Sequence, residues 1–522
     1  MLEDVLQRRP YNATADFVDG NVARGLGDKI AFTDTERALT YGALQTGTCR
    51  FANALRALGL REENRLILLC HDSVDHPIAF WGTIRAGIIP IPINTLLTAE
   101  QYAYLFADSR AAATVVAAPL ARTVVSIRDR LPCLRAVIVV GASAKDRAEL
   151  RDVLYFEDVL REAEPKSVTA PTMSDEVAFW MYTSGSTGDP KAVKHVHTSL
   201  MATARLMGQG VIDIRADDVA FSAAKLSFSY GLGNAMSFPM SVGASSVLLP
   251  ERPTPQAVLD TIRRHRPTIF YAVPSLYAAL LARPEIGPGA GSDRLRLCIS
   301  AGEALPAHLG ERWHDVVGVD ILDGIGSTEM LNTFLSNRPG DIRYGSTGKP
   351  VPGYEVKIVD ESGHELPDGE IGELMVRGPS AGEGYWNQRA KSRRTFVGEW
   401  TLTGDKYVRD ADGYYFYRGR TDDMFKVNGM WVSPFEVETA LVSHEAVLEA
   451  AVIGKEDGDG LVKPKAFIVL KNGYCANDQL SELLRAHVKE RAGSWKYPRW
   501  IDFRSDLPRT ATGKIQRFKL RD

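Results

Sequence analysis

In "MYTSGSTGDPKAVKHVH", residues 181–197, an apolar run gives way to two glycines, two serines and two threonines within the six positions 183–188. Glycines after a strand expose backbone N–H groups with little steric obstruction, and Ser and Thr hydroxyls add donors, a combination suited to phosphate oxygens. Lys191 adds a point charge. The run does not match G-x-x-x-x-G-K-[ST], because Lys191 follows Pro190 and is itself followed by Ala192, and a P-loop NTPase is therefore disfavoured. Taken alone, the run reads equally as a flexible surface loop, and its surroundings have to decide.

The preceding "VAFWMY" reads as a buried strand. Runs of the same kind recur up to about residue 325: "RLILLC", "GIIPIPI", "ATVVAA", "RAVIVVG", "ASSVLL", "PTIFYAV", "LRLCISAG" and "VDILDGIG". Helix-like "TYGALQTGTCRFANALRALG" and "PQAVLDTIRRH" lie between some of them. This alternation predicts an α/β fold with largely parallel, buried strands. Such open sheets bind ligands beyond the carboxyl ends of their strands, and the 183–188 loop is expected at one of these ends. From about Tyr354, short strands with "PDG" and "DADG" turns take over. After Arg420 a charged segment and a glycine turn precede a helix started by Ser433 and Pro434. We therefore expect two domains, 1–420 and 421–522.

Composition narrows the function. A formal charge of −3, from 62 Lys and Arg against 65 Asp and Glu, gives no electrostatic reason to bind nucleic acid. Cys49, Cys70, Cys133, Cys298 and Cys475 are scattered and form no C-x-x-C pair, as suits a reducing compartment. No stretch has the length and apolarity of a signal peptide core or a membrane span, so the expectation is a cytoplasmic protein without membrane partners. His195 and His197 have H-x-H spacing, but no third ligand cluster accompanies them.

The 183–191 run is followed by "SAGEALP" (300–306), "DGIGSTE" (323–329), "TGDKY" (403–407), "YRGRTDD" (417–423) and "RTATGKIQR" (509–517). In order and spacing these stretches resemble the adenylate-forming superfamily of acyl-CoA synthetases, firefly-type luciferases and peptide-synthetase adenylation domains, over nearly the whole chain. Within it the chain looks most like the bacterial benzoate-CoA and hydroxybenzoate-CoA ligases, through "FSAAKLSFSYGLGNAMSFPM", "DGIGSTEM" and "ATGKIQRFKLR". The resemblance implies a large N-terminal domain of layered sheets and helices with a small mobile α+β C-terminal domain. It also implies ATP, Mg2+ and CoA as reaction partners of an aromatic carboxylate.

By the same resemblance, Thr183, Ser184, Gly185, Ser186, Thr187, Gly188 and Lys191 hold the β- and γ-phosphates of ATP. Gly302, Glu303, Ala304, Asp323, Gly324 and Ile325 line the adenine, and Asp405 and Arg420 hold the ribose hydroxyls. Thr328 contacts the α-phosphate, while Glu329 and Thr187 are associated with magnesium. Lys514 is the catalytic lysine that joins carboxylate and α-phosphate. Asp422 is the hinge, Gly429 marks the face along which CoA threads, and the acyl pocket comprises Phe228, Ser229, Tyr230, Tyr271, Ala272 and Asn332. There are departures from the family pattern. Ala192 stands where relatives commonly have glycine, Ile325 where they have an aromatic residue, and Ser229 and Asn332 where benzoate-specific relatives tend to have alanine and histidine.

The implied reaction must bring two anions together, a Coulombic cost of about 4 kcal/mol for unit charges 4 Å apart at an effective dielectric near 20. Cations and oriented dipoles supply the catalysis, and no general base is required because the carboxylate is already ionised. Competing readings are a CoA ligase for a fatty or alicyclic acid, an amino-acid-adenylating domain and a non-catalytic nucleotide-binding homologue. The amino-acid reading is disfavoured because Ser229, not aspartate, follows Phe228. A monomer or homodimer is expected, with an acetyltransferase acting on Lys514 as a regulatory hypothesis.

Overall fold

The computed structural model describes residues 7, 9–183, 190–427, 430–458, 461–493, 495–509 and 515–521. The chain forms two compact units: one comprises Met1–Ser184, Pro190–Glu355 and Val376–Thr401, the other Gly185–Asp189, Val356–Met375 and Leu402–Asp522. The fold is α/β, with several sheets carried by helices.

One parallel and one mainly parallel sheet organise the first unit. Strands Ile89–Pro92, Arg65–Leu69, Ala113–Ala117, Ala136–Val140 and Leu154–Tyr155 pair in that order, all parallel. A nine-stranded sheet runs Lys349–Pro350, Thr333–Ser336, Ile321–Gly326, Leu297–Ser300, Ile269–Ala272, Val219–Ser222, Ser245–Val247, Ile30–Thr33, Ala38–Thr40. Its six inner strands are parallel, and its outer ones are added antiparallel. The inner strands are buried on both faces, which is why they read as unbroken apolar runs instead of alternating ones. Helix Pro255–His265 shows how a flanking element is made: Thr254 accepts the N–H of Ala257 as N-cap, Pro255 sits at N1, and Val258, Leu259 and Ile262 pack into the core with Phe221, Phe270 and Trp313.

One expectation needs correction. The strand Val177–Thr183 is not in a parallel sheet but pairs antiparallel with Lys191–Val196, so the 183–188 loop joins a two-stranded hairpin rather than leaving a sheet's carboxyl edge. The cause is legible afterwards. "KAVKHV" buries Ala192, Val193, His195 and Val196 and leaves Lys191 and Lys194 half-buried, a strand whose charged residues hide its character.

In the second unit, which takes up strand Trp400–Arg409 from Leu402, that strand and Tyr415–Arg420 form an antiparallel hairpin closed by the "DADG" turn, where Asp410 Oδ1 accepts N–H groups of Asp412 and Tyr414 and Gly413 has φ +81°. Helix Pro434–Val442 is capped by Ser433, which accepts the N–H of Glu436. It packs with helix Asp478–Ala492 through Val437, Leu441, Leu484 and Val488 against a three-stranded sheet of Val447–Glu456, Val462–Leu470 and Trp500–Arg504. Among the described residues no helix is long and apolar enough to cross a membrane.

Candidate active site

The hairpin fixes the loop at its base, where Thr183 and Lys191 face each other as paired residues. Residues Ser184, Gly185, Ser186, Thr187 and Gly188 lie outside the described residues, as do Gly429 and Lys514. Lys191 Nζ donates to the Tyr385 hydroxyl at 3.3 Å and sits 4.3 Å from the centroid of that ring. The same hydroxyl donates to Glu329 Oε1 at 2.6 Å. Tyr385 is held by backbone pairing with the hairpin: it bridges Val193, and its neighbours Glu383 and Trp386 donate to the carbonyls of Lys194 and Ala192. Segment 382–386 thus lies along strand Lys191–Val196, and Ala192, the departure from glycine, is simply a buried residue of that strand.

Sequence reasoning missed Tyr385. It lies in "GEGYWNQ", between loop signals and without period, and only the backbone pairing shows what it faces. It also missed the role of His195. His195 Nε2 donates to the carbonyl of Thr328 at 2.9 Å, and its ring stacks on Phe179 at 5.3 Å. Burial holds this imidazole down at about 4, so it stays neutral and fixes the backbone at Thr328. His197 Nδ1 accepts the N–H of Ala13, so the two rings serve different contacts.

The "SAG" and "DGIG" segments meet where Ser300 and Asp323 pair across neighbouring parallel strands. Gly302 has φ +93°, the left-handed region that favours glycine. Asp323 is buried, and although the Ser300 hydroxyl and the Gly324 N–H lie near enough to favour its charged form, neither its Oδ1 nor that hydroxyl makes a hydrogen bond of good geometry with the described residues. Burial pushes the Asp323 carboxyl up to about 8, overcoming the opposing pull of the Leu305 N–H. Gly324 is tightly approached: a Cβ there would lie 2.8 Å from Leu335 O of the adjacent strand. Ile325 pairs with Leu335, and Glu303 and Ala304 are half-buried.

The predicted acyl-pocket residues come partly together. Phe228 precedes the short helix Ser229–Leu232, and Asn332 Nδ2 donates to the carbonyl of Ser229 at 3.1 Å. Asn332 Oδ1 accepts the Thr333 N–H at 2.8 Å. Tyr230 donates to Ile299 O at 3.1 Å and meets Tyr271 edge-on at 6.4 Å between centroids. Ala272 is buried beside Ser300 in the sheet. Leu331 has φ +66°, an uncommon value for a non-glycine residue, with the N–H of Asn332 donating to Met330 O across it.

In the second unit, Asp405 and Arg420 are directly paired across the hairpin, and Arg420 Nη1 donates to Asp405 Oδ1 at 2.9 Å and to Thr403 O at 3.1 Å. Burial opposes the charge on Arg420, but the Asp405 carboxylate outweighs it and the net shift is upward. Beyond the pair, Asp423 and Met424 N–H groups turn back onto Arg420 O, and Arg521 donates to Asp422 O. The segment carrying Lys514 is flanked by a bridge between Arg509 and Ile515 and by Gln516 N–H on Pro508 O. Arg517 then binds Glu438 through Nε and Nη2.

In the first unit a cation and a carboxylate, Lys191 and Glu329, meet on Tyr385 beside a Ser-, Gly- and Thr-rich segment, and the second unit holds a carboxylate–guanidinium pair, both features that a nucleotide-using enzyme requires. Residues 20–386 match the family described as AMP-binding enzyme and residues 436–514 the AMP-binding enzyme C-terminal domain, and the chain belongs to this family of adenylate-forming enzymes. It is 52% identical over 515 residues to a 4-hydroxybenzoate–CoA/benzoate–CoA ligase of Rhodopseudomonas palustris, covering 98% of this chain and 94% of that one. It is 50% identical over 513 residues to a benzoate–CoA ligase of Thauera aromatica, covering 98% and 96%. Among solved structures it resembles the anthranilate CoA ligase AuaEII in complex with anthranoyl-AMP, with TM-score 0.93 and 43% identity, covering 100% of this chain and 98% of that one.

The donor chemistry fits magnesium. Glu329 Oε1 is occupied by the Tyr385 hydroxyl, while Oε2 takes no hydrogen bond from the described residues, leaving one hard oxygen of the kind Mg2+ accepts beside phosphate oxygens and water.

Proposed function

We propose that this chain is an ATP-dependent aryl-CoA ligase working in two half-reactions. An aryl carboxylate oxygen attacks the α-phosphorus of ATP, the bond to the β-phosphate bridging oxygen breaks, and aryl-adenylate and pyrophosphate form. The thiol sulfur of CoA then attacks the acyl carbon, the carbon–oxygen bond to AMP breaks, and the thiol proton is released as aryl-CoA and AMP form. The loop at 183–188 with Lys191 grips the departing phosphates, Asp405 and Arg420 take the ribose, and the segments at 302–304 and 323–325 line the base. Glu329 and Thr187 would hold the magnesium, which neutralises phosphate charge when bound. Lys514 offsets the repulsion between carboxylate and α-phosphate.

The observation that carries this reading is the convergence of Lys191 and Glu329 on one side chain at the base of the glycine-rich loop, in a chain aligned over 98% of its length with an aryl-CoA ligase. Within the aryl acids, we assign benzoate or a ring-hydroxylated or amino-substituted benzoate. The Ser229 hydroxyl takes no hydrogen bond from the described residues, whereas Asn332 is engaged by Ser229 O and the Thr333 N–H. Ser229 is therefore the group that discriminates among ring substituents, and Asn332 holds it in place. The charge balance and cysteine pattern support a cytoplasmic setting, and acetylation of Lys514 is a further part of the reading.

The test is acid-dependent pyrophosphate exchange, followed by CoA thioester formation, with benzoate, 2-, 3- and 4-hydroxybenzoate, aminobenzoates and hexanoate. An aromatic acid should be preferred over hexanoate. Ser229→Ala should lower kcat/KM for the preferred substituted acid about tenfold, the scale of one unpaired polar group, relative to its effect on benzoate. A preference for hexanoate would contradict the aryl assignment; a substituent profile unmoved by Ser229→Ala would remove Ser229 from the pocket.

A further inference from the structure

The contact between Lys191, Tyr385 and Glu329 does more than pack. A phenol has one proton to give and lone pairs to receive with. At Tyr385 the proton goes to Glu329 Oε1 at 2.6 Å, within the short range of charge-assisted O–H···O⁻ bonds, and a lone pair receives the Lys191 ammonium at 3.3 Å. The ammonium also lies over the ring face at 4.3 Å, so it is drawn to the tyrosine twice. The residue itself is fixed: its ring meets Phe396 edge-on at 5.4 Å, its backbone N–H donates to Ser392 Oγ at 3.0 Å, and its backbone bridges Val193.

We propose that Tyr385 is a positioning residue, holding the Glu329 carboxylate and the Lys191 ammonium apart and pre-aimed so that magnesium and the ATP phosphates meet both without rearrangement. This rests on the assignment of Lys191 and Glu329 to the ATP site. Without the phenol, opposite charges at the base of one loop are free to close on each other, and the carboxylate loses the bond that fixes its Oε1. Residues that orient a ligand from behind set affinity for the metal more than for the rest of the ligand, with typical losses of 10- to 100-fold.

The discriminating quantity is the gain in ATP affinity that magnesium confers. ATP is titrated calorimetrically into the full-length, acid-free enzyme in Mg2+ and in EDTA. Tyr385→Phe, which keeps the ring and its packing on Phe396, should bind metal-free ATP within about twofold of wild type but keep a tenth or less of the magnesium-dependent gain. Combined with Glu329→Gln it should cost no more of that gain than Glu329→Gln alone, because both changes break the same link. Thr395→Val, which removes a hydroxyl 3.4 Å from the phenol oxygen, should retain the gain. Equal loss of metal-free and magnesium-bound affinity in Tyr385→Phe, or full additivity with Glu329→Gln, would overturn the positioning role. If Tyr385→Phe fails to fold, Lys191→Met and Glu329→Gln test the link from its two ends: coupled losses of the gain support it and independent losses refute it. A wild-type protein that does not bind ATP at all would instead bring down the ATP-site assignment itself.

Discussion

Asp323 shows how much a single side chain can cost the free protein. Its carboxyl is buried with Oδ1 making no hydrogen bond of good geometry with the described residues, and burial lifts it to about 8 from an ordinary 3.8. The folded state therefore holds a proton that the unfolded chain gives up above about pH 4. Its stabilising contribution is complete below 3.8 and lost progressively as pH rises through 8, at roughly 1.4 kcal/mol per pH unit in that window. Asp323→Asn removes the titration while keeping the shape. Between pH 6.5 and 8.5 the ATP-free wild type should lose on the order of 2 kcal/mol more stability than Asp323→Asn, read from denaturant midpoints at the two pH values. Parallel curves for the two proteins would mean that Asp323 is ionised in the fold and satisfied by solvent. His195 shows the opposite case: burial keeps its ring neutral, and the ring serves the fold by donating to Thr328 O.

At the scale of elements, the parallel strands were legible because burial on both faces leaves continuous apolar runs. "RAVIVVG" and "PTIFYAV" became Ala136–Val140 and Ile269–Ala272 with little ambiguity. The Ser433–Pro434 helix start was legible because capping chemistry is local. What failed was pairing. Nothing local in "VAFWMY" says that its partner is the charged strand after the loop, and nothing in "GEGYWNQ" says that its backbone runs beside that strand. The contact between Asn332 and Ser229 was not legible, because the Asn332 amide meets Ser229 through a separation of 103 positions and a positive φ at Leu331. The close approach of two elements there is testable. A Cβ on Gly233 would fall 2.2 Å from Asn332 Nδ2 and 3.2 Å from Phe238 Cζ. Since Gly233 has ordinary helical dihedrals, Gly233→Ala carries no backbone penalty, and its effect is the displacement of Asn332, an overpacking cost of about 1–3 kcal/mol. We expect the aryl-acid KM to rise at least tenfold with the ATP KM within twofold; equal changes in both would indicate general damage rather than a shifted pocket wall.

At the scale of the whole molecule, one chain must first exclude water from an acyl-adenylate and then admit a thiol to it, two demands that a single rigid arrangement meets poorly. We propose that Asp422, the hinge implied by the family resemblance, is a residue whose backbone rotation separates the two half-reactions. Asp422 follows the Asp405–Arg420 pair by two residues, and the turn after Arg420 is made by N–H groups of Asp423 and Met424 folding back onto Arg420 O. A hinge works by changing φ and ψ over a few positions, and proline removes that freedom by fixing φ near −65° and restricting the residue before it. Asp422→Pro should therefore leave acid-dependent pyrophosphate release within about threefold of wild type while slowing thioester formation from supplied aryl-adenylate at least tenfold, measured as separate half-reactions in rapid-quench experiments. Asp422→Ala keeps the backbone free and serves as the control. If alanine is as harmful as proline, the carboxylate and not the dihedral is what matters; if proline leaves thioester formation intact, rotation occurs elsewhere, and the two half-reactions share an arrangement that this residue does not govern.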